Sequence, residues 1–243
     1  MKNILIIGAN SSITRDCIKI WSKQNNKFFF VARDIDELSK FMSHIEYNHI
    51  NLNNKYILDL NNFDHHIEIF SRAKAYLKKI DIVFICYGTL PNQSECEKNF
   101  HLLSKEINTN ATSKISIINL AIKNLDEKAT IAVVTSVAGD RGRSSNYIYG
   151  ACQSMVNEYI SGVRQKLHGS KIRLLTIKPG LIDTKMTNNF KKNFLWTKSN
   201  VAAKKITEAV NSQKDEVYIP FYWYFIMKVI KIIPIKIFKR LKF

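Results

Sequence analysis

The stretch KNILIIGANSSITRDCIKIW, Lys2 to Trp21, decides how the rest of the chain is read. Lys2 to Ile7 is a continuous apolar run of strand length, Gly8-Ala9-Asn10-Ser11-Ser12 is a small polar turn, and Ile13 to Trp21 has helical spacing. A buried strand that passes through a tight turn into a helix opens an α/β fold, and the helix N-terminus there can hold a phosphate. Gly8 keeps the expected glycine, but Ser12 and Thr14 stand where close backbone approach and helix packing favour one. The turn therefore reads either as a nucleotide site, through Gly8, Asn10, Ser11, Ser12 and Ile13, or as an ordinary strand-to-helix connection.

The pattern repeats downstream. KFFFVA (Lys27 to Ala32) is a second buried strand, and Asp34 with Glu37 forms a capping box that opens a helix through Phe41 and Ile45. Tyr56 to Leu58, Phe63 to Leu77 and Ile80 to Cys86 continue the alternation. A long helical stretch from about Phe100 to Leu125 leads to the strand ATIAVVTS (Ala129 to Ser136), and a helix from Tyr149 to Leu167 leads to IRLLTIK (Ile172 to Lys178). Strands that are apolar on both flanks and separated by helices imply a parallel sheet covered on both faces. The expectation is a single-domain, doubly wound Rossmann fold over residues 1–220, with ligands at the carboxyl ends of the strands. Arg33, directly after the second strand, stands where a dinucleotide's adenosine ribose lies; a cation there suits a 2′-phosphate and favours NADP over NAD. The alternative is a solvated Arg33 paired with Asp34 or Asp36.

The formal net charge of +17 favours an anionic partner or surface, yet most of the lysines are scattered. There is no helix-turn-helix, zinc-finger or RNP-like signature, so nucleic acid is not an expected partner. Cys17, Cys86, Cys96 and Cys152 form no CxxC pair and have no His at metal-ligand spacing; reduced thiols in the cytoplasm and no bound metal are expected. The short apolar run at the N-terminus stops at Gly8, so no export signal is read. Residues 221–243 form an amphipathic basic tail. Tyr222, Phe225, Ile226, Val229, Ile230 and Ile233 make one apolar stripe, with Lys228 and Lys231 off it and Lys236, Lys239, Arg240 and Lys242 after Pro234. Lysines interrupt every apolar run, so the tail is too short in apolar length to span a bilayer. It either lies on an anionic membrane surface or packs against the body or a second subunit.

With these residues in place, the chain resembles the short-chain dehydrogenase/reductase family over nearly its whole length. Gly8 begins the cofactor turn, Asp59-Leu60 resembles the adenine contact, and Cys86-Tyr87-Gly88-Thr89 replaces the family's NNAG segment. Asn110 falls where the active-site Asn belongs, with Asn108 as a competitor. Ser136, Tyr149 thirteen residues later, and Pro179-Gly180-Leu181-Ile182-Asp183-Thr184 complete the pattern, the last as the PGxxxT segment that closes over nicotinamide, through Pro179, Gly180, Ile182 and Thr184. SVAGDRGRSSNYIYGA (Ser136 to Ala151) and TIKPGLIDTKMT (Thr176 to Thr187) further resemble the decaprenylphospho-β-D-erythro-pentofuranosid-2-ulose 2-reductase branch and related reductases of cell-envelope sugars. That branch implies a lipid-linked or small sugar substrate, a homo-oligomer, an oxidase partner in a two-step epimerisation, and work at the inner face of the cell membrane.

The resemblance implies that Tyr149 donates a proton to a carbonyl oxygen as NADPH delivers hydride, while Ser136 positions that oxygen. The family places Lys four residues after the Tyr, and here that position is Gln153. Glutamine can hydrogen-bond a ribose hydroxyl but brings no charge, so the phenol should stay near its reference pKa of about 10 unless another cation intervenes, with Lys178 and Arg143 as candidates. The expected activity is a ketoreductase biased against alcohol oxidation; the alternative is an NADP-binding scaffold or partner subunit that turns over poorly.

Overall fold

The structure, a computed structural model, describes residues 1–43, 54–125 and 128–241; the expected placements of Ile45 and Lys242 fall outside them. The chain alternates strand and helix: β1 (Asn3–Ile7), α1 (Ser12–Ser22), β2 (Lys27–Ala32), α2 (Ile35–Ser43), β3 (Lys55–Ile57), α3 (His66–Leu77) and β4 (Ile82–Ile85). Then come α4 (Gln93–Lys98), α5 (Phe100–Ile107), α6 (Ser113–Asn124), β5 (Thr130–Val134), α7 (Tyr147–Lys166) and β6 (Arg173–Pro179). A two-residue pair, β7 (Ile182–Asp183) and β8 (Thr197–Lys198), precedes α8 (Ser199–Asn211), β9 (Glu216–Ile219), α9 (Tyr222–Ile232) and α10 (Ile235–Phe238).

Seven strands pair in parallel in the order β3-β2-β1-β4-β5-β6-β9. This is the expected single-domain Rossmann architecture. Side chains alternate across the sheet and split the core into two apolar layers. Ile4, Ile6, Phe30 and Phe84 face one layer with Trp21 of α1 and Ile206 of α8, while Leu5, Ile7, Val83 and Ile85 face the other with Phe70 of α3 and Val156 of α7. The β1–α1 and β4–α4 connections fall on either side of the point where strand order reverses, which leaves a crevice at the strands' carboxyl ends.

Three features differ from the reading of the sequence. The stretch from Phe100 to Asn124 is helical throughout, one residue short of the expected end at Leu125, but widens into a π-turn at Asn108–Thr112, and the extra residue turns Asn110 inward. No element was read between Thr184 and Phe221, where α8 and β9 stand; α8 offers only small Ala202, Ala203 and Ala209 with Ile206 and Val210 to the core, and β9 has four residues. In the tail, part of the expected stripe packs, Ile230 with Tyr222 and Ile226 beside it, and part does not. Trp223, Met227 and Ile230 are buried, whereas Phe225 and Val229 are 58% and 59% exposed. The reason is local: the Trp223 indole lies on Gly180, where any Cβ would overlap it, and this seat rotates α9. The helix ends at Ile232 because Pro234 cannot continue it. Among the described residues, no helix is long and apolar enough to cross a membrane.

Trp223 anchors α9 against Val137 and Leu181 next to the crevice. Trp223→Ala should therefore cost about 3–5 kcal/mol of unfolding free energy in a urea titration, and a loss below about 1 kcal/mol would show that α9 is not part of the cooperative unit.

Candidate active site

The crevice holds a cavity of about 580 Å³. At its nucleotide end, Gly8 has φ +92°, and a Cβ there would overlap the Cys86 carbonyl, so only glycine lets the β1–α1 turn lie this close to β4. The Thr14 hydroxyl donates to the same carbonyl at 3.4 Å, and the Ser11 hydroxyl meets the Cys86 Sγ at 3.4 Å. Ser11 is the N-cap of α1 but makes no side-chain cap, and the first turn holds no acidic residue. The positive end of α1 is thus left for whatever enters the cavity, which Asn10, Ser11, Ser12 and Ile13 line. Asn10 donates to the Asp34 carbonyl at 2.7 Å, while its own Oδ1 is buried without a partner. A glycine cradle, an uncapped helix start and an orphaned amide oxygen fit the pyrophosphate region of a dinucleotide.

Arg33 lies exposed at the mouth of the cavity and pairs with neither Asp34 nor Asp36 among the described residues. Asp34 instead accepts from the Glu37 amide at 3.0 Å, one half of the expected capping box. The Glu37 carboxylate turns away to Arg15 at 3.0 Å and Lys185 at 2.6 Å, and these cations hold its pKa below the usual carboxylate range. Asp59 and Leu60 form the wall beyond β3, with Asp59 accepting from the Asn61 amide at 3.0 Å.

At the other end, Ser136 follows β5 and caps a short turn over Val137–Asp140 by accepting from the Ala138 amide at 3.1 Å. Tyr149, in the first turn of α7, and Ser136 line the same cavity. Burial pushes the Tyr149 phenol up to about 12, and Ser136 opposes this in part. The phenol is therefore less acidic than the reference value expected from the sequence. Gly139 and Gly150 allow α7 to press on the Val137–Asp140 turn, since a Cβ on Gly150 would sit 2.9 Å from the Ala138 carbonyl oxygen. Tyr147 points elsewhere and donates to Glu97 at 2.6 Å.

The cavity does not include every residue read from the sequence. Gln153 is 1% exposed and absent from the cavity lining; Gly139 packs on its backbone, and both polar atoms of its side-chain amide are buried and unpartnered. Asn110 is also buried behind the wall. Its Oδ1 accepts from the Thr89 amide at 2.9 Å, and its Nδ2 donates to Thr89 Oγ1 at 3.1 Å and Glu106 at 3.0 Å. Asn110 thereby pins the loop after β4, and Gly88, which lines the cavity, cannot carry a Cβ because Asn110 Oδ1 would be 2.6 Å away. Asn108 starts the π-turn and stays outside the cavity. Pro179, Gly180, Ile182 and Thr184 line the wall opposite α1, and the Lys185 amide donates to Ser12 at 3.4 Å across the crevice.

Neither expected substitute cation stands free in the cavity. Lys178 is buried in ion pairs to Asp140 and Glu216, each 3.0 Å, and does not line it. Arg143 does line it, but its guanidinium is largely buried beside Met227 Sδ at 3.3 Å. The cation that the sequence did not single out is Lys114, on the cavity wall and 2% exposed, donating to the Val134 carbonyl at 3.2 Å. Its only sequence signal is its position four residues after Asn110.

A protein-family model described as short chain dehydrogenase matches residues 2–194. An uncharacterised oxidoreductase of Mycobacterium tuberculosis is 24% identical over 164 residues, 67% of this chain and 66% of that protein, so the chain spans just under two thirds of that relative. Another from Myxococcus xanthus is 20% identical over 241 residues, 98% of this chain and 94% of that one. The crystal structure of a short chain dehydrogenase from Burkholderia cenocepacia in complex with NADP superposes with a TM-score of 0.81 at 17% identity, covering 99% of this chain and 97% of that one.

Asp140, at the end of the turn that Ser136 caps, accepts from Tyr218 at 2.7 Å besides pairing with Lys178. Asp140→Ala leaves the Lys178 ammonium with Glu216 as its remaining carboxylate partner, and the variant should lose about 3 kcal/mol by chemical denaturation. An unchanged midpoint would mean that the turn is held by other contacts.

Proposed function

The chain belongs to the short-chain dehydrogenase family, and we propose that it is an NAD(P)-dependent oxidoreductase that reduces a ketone with NADPH, Tyr149 donating the proton and Ser136 positioning the carbonyl. The observation that carries this reading is that Tyr149 and Ser136 line one cavity with the uncapped start of α1. When bound, the nicotinamide supplies hydride to the carbonyl carbon. The start of α1 would hold the pyrophosphate, Arg33 the 2′-phosphate, Asp59 and Leu60 the adenine, and the segment Pro179 to Thr184 would cover the nicotinamide.

The direction follows from the phenol. With a pKa of about 12 the phenol is protonated throughout the neutral range, ready to meet the developing alkoxide. Oxidation of an alcohol needs the phenolate, present at pH 7 in about one molecule in 10⁵. Ketone reduction at pH 7 should outrun the reverse reaction by more than about a hundredfold, and equal rates from NADPH oxidation and NADP reduction at 340 nm would overturn the assignment. Arg33→Asp should bind NADPH at least about tenfold more weakly while leaving NADH affinity within about twofold, read by fluorescence titration; equal losses for both cofactors would place the 2′-phosphate elsewhere.

The substrate we favour is a lipid-linked sugar. The cavity lining includes apolar Leu90, Pro91, Phe190 and Trp196, and the outer face of α9 and α10 presents Phe221, Phe225, Val229, Ile232 and Ile235 among Lys228, Lys231 and Lys236. Exposed aromatics interleaved with lysines suit the interface of an anionic membrane. The protein should float with vesicles containing phosphatidylglycerol, and Phe225→Glu with Ile232→Glu should abolish this; flotation unaffected by the two changes would exclude this face.

A further inference from the structure

Lys114 carries a charge that the fold does not use. It is fully buried, forms no ion pair among the described residues, and donates one hydrogen bond, to the Val134 carbonyl, out of the three its ammonium can make. A buried charge without a counter-charge destabilises a protein by several kcal/mol, and a methionine of similar length would fill the same space without that cost. A purely structural account leaves the residue unexplained.

Its position supplies the explanation. The ammonium sits between the carboxyl ends of the two central strands, 3.2 Å from the Val134 carbonyl at the end of β5 and 3.9 Å from where a Cβ on Gly88 would stand beyond β4. It therefore lies on the cavity floor, next to the strand end that carries Ser136. Lys114 and Tyr149 both lie within electrostatic reach of Cys86 and Cys152. Gln153, one turn after Tyr149, is buried and does not line the cavity.

Resting on the reading of the cavity as an NADPH site, we propose that Lys114, from α6, supplies the cation that α7 lacks at position 153. Its ammonium holds the ribose hydroxyls on the nicotinamide side of the dinucleotide and places a positive charge beside Tyr149. The function has moved from one helix to another that faces the same floor.

The groups that face the ammonium leave it as the titrating charge. Cys86 from β4 and Cys152 from α7 are both thiols raised by burial, and the Tyr87 ring lies 5.6 Å away with its hydroxyl turned to Ser113 and its pKa pushed up. Tyr149 is protonated over the same range, and Glu106 is occupied by Thr89 and Asn110. Burial lowers Lys114 to about 8, so its charge is lost as pH rises through that value and with it the attraction for the ligand. The same shift makes the folded protein relatively less stable below pH 8, because the unfolded chain keeps its lysine proton up to about 10.4. Lys114→Met should therefore hold or raise the melting temperature at pH 7.

The test is NADPH and adenosine 2′,5′-bisphosphate affinity, by fluorescence and calorimetric titration at pH 7 and 9.5, with melting temperatures, for wild type and Lys114→Met. The variant should bind NADPH at least about tenfold more weakly at pH 7. It should bind the bisphosphate, which lacks the nicotinamide ribose, as wild type does. Wild-type NADPH affinity should fall between the two pH values more steeply than that of the variant. Equal NADPH affinity in the two proteins, with the bisphosphate still bound, would overturn the role of Lys114 and leave the cofactor reading intact. A weaker-binding variant with a lowered melting temperature and equal losses for both ligands would mark Lys114 as structural. Failure of wild type to bind NADPH, NADH or the bisphosphate would remove the cofactor reading, and this inference with it.

Discussion

The contact between Gly8 and the Cys86 carbonyl fixes the geometry on which the site depends. It brings the exit of β1 against the end of β4, a closeness that any Cβ at position 8 would prevent. Thr14 and Ser11 then fasten the start of α1 to Cys86, so that a helix N-terminus without a side-chain cap opens into the cavity. On the far side of Cys86 the chain passes directly to Gly88, held under Asn110 by the same exclusion of a side chain. Two glycines three residues or fewer from Cys86 or packed on it thus let three elements converge where strand order reverses.

Unsatisfied polar atoms gather around this convergence. Asn10 Oδ1, Arg143 Nε and the amide of Gln153 are buried without partners, and Lys114 adds a buried charge. The sheet beneath is made largely of Ile, Leu, Val, Phe and Ala packed in two continuous layers, with the Trp21 indole N–H a buried unpartnered group in one of them. Stability is supplied by the sheet and given up at the strand ends, as expected where polar groups are arranged for a ligand and not for the empty fold.

Much of this was legible in the sequence because it rests on periodicity and spacing. Continuous apolar runs such as Asn3–Ile7 and Thr130–Val134 can be buried on both faces only in a covered parallel sheet, and the interval from Ser136 to Tyr149 is set by one short turn before one long helix. What escaped depends on contacts between distant segments. The π-turn at Asn108–Thr112 leaves no mark in a helical pattern, yet it decides that Asn110, and not Asn108, points at the loop after β4. Lys114 reads as one more lysine in a lysine-rich chain until the end of β5 is laid against it. Gln153 reads as a participant because it follows Tyr149 by one turn, but its side chain is buried and outside the cavity lining. The tail's packed face extends to Trp223 and Met227 beyond the apolar stripe because Gly180, far upstream, receives the Trp223 indole.

The central claim is that the cation serving Tyr149 and the cofactor comes from α6. It is tested most directly by a crystal structure of the wild-type protein with NADP bound. The account predicts Lys114 Nζ within hydrogen-bonding distance of a nicotinamide-ribose hydroxyl, with the Gln153 side chain still outside the cavity. A structure in which Lys114 stays on the Val134 carbonyl alone while Gln153 swings out to hold the ribose would contradict it.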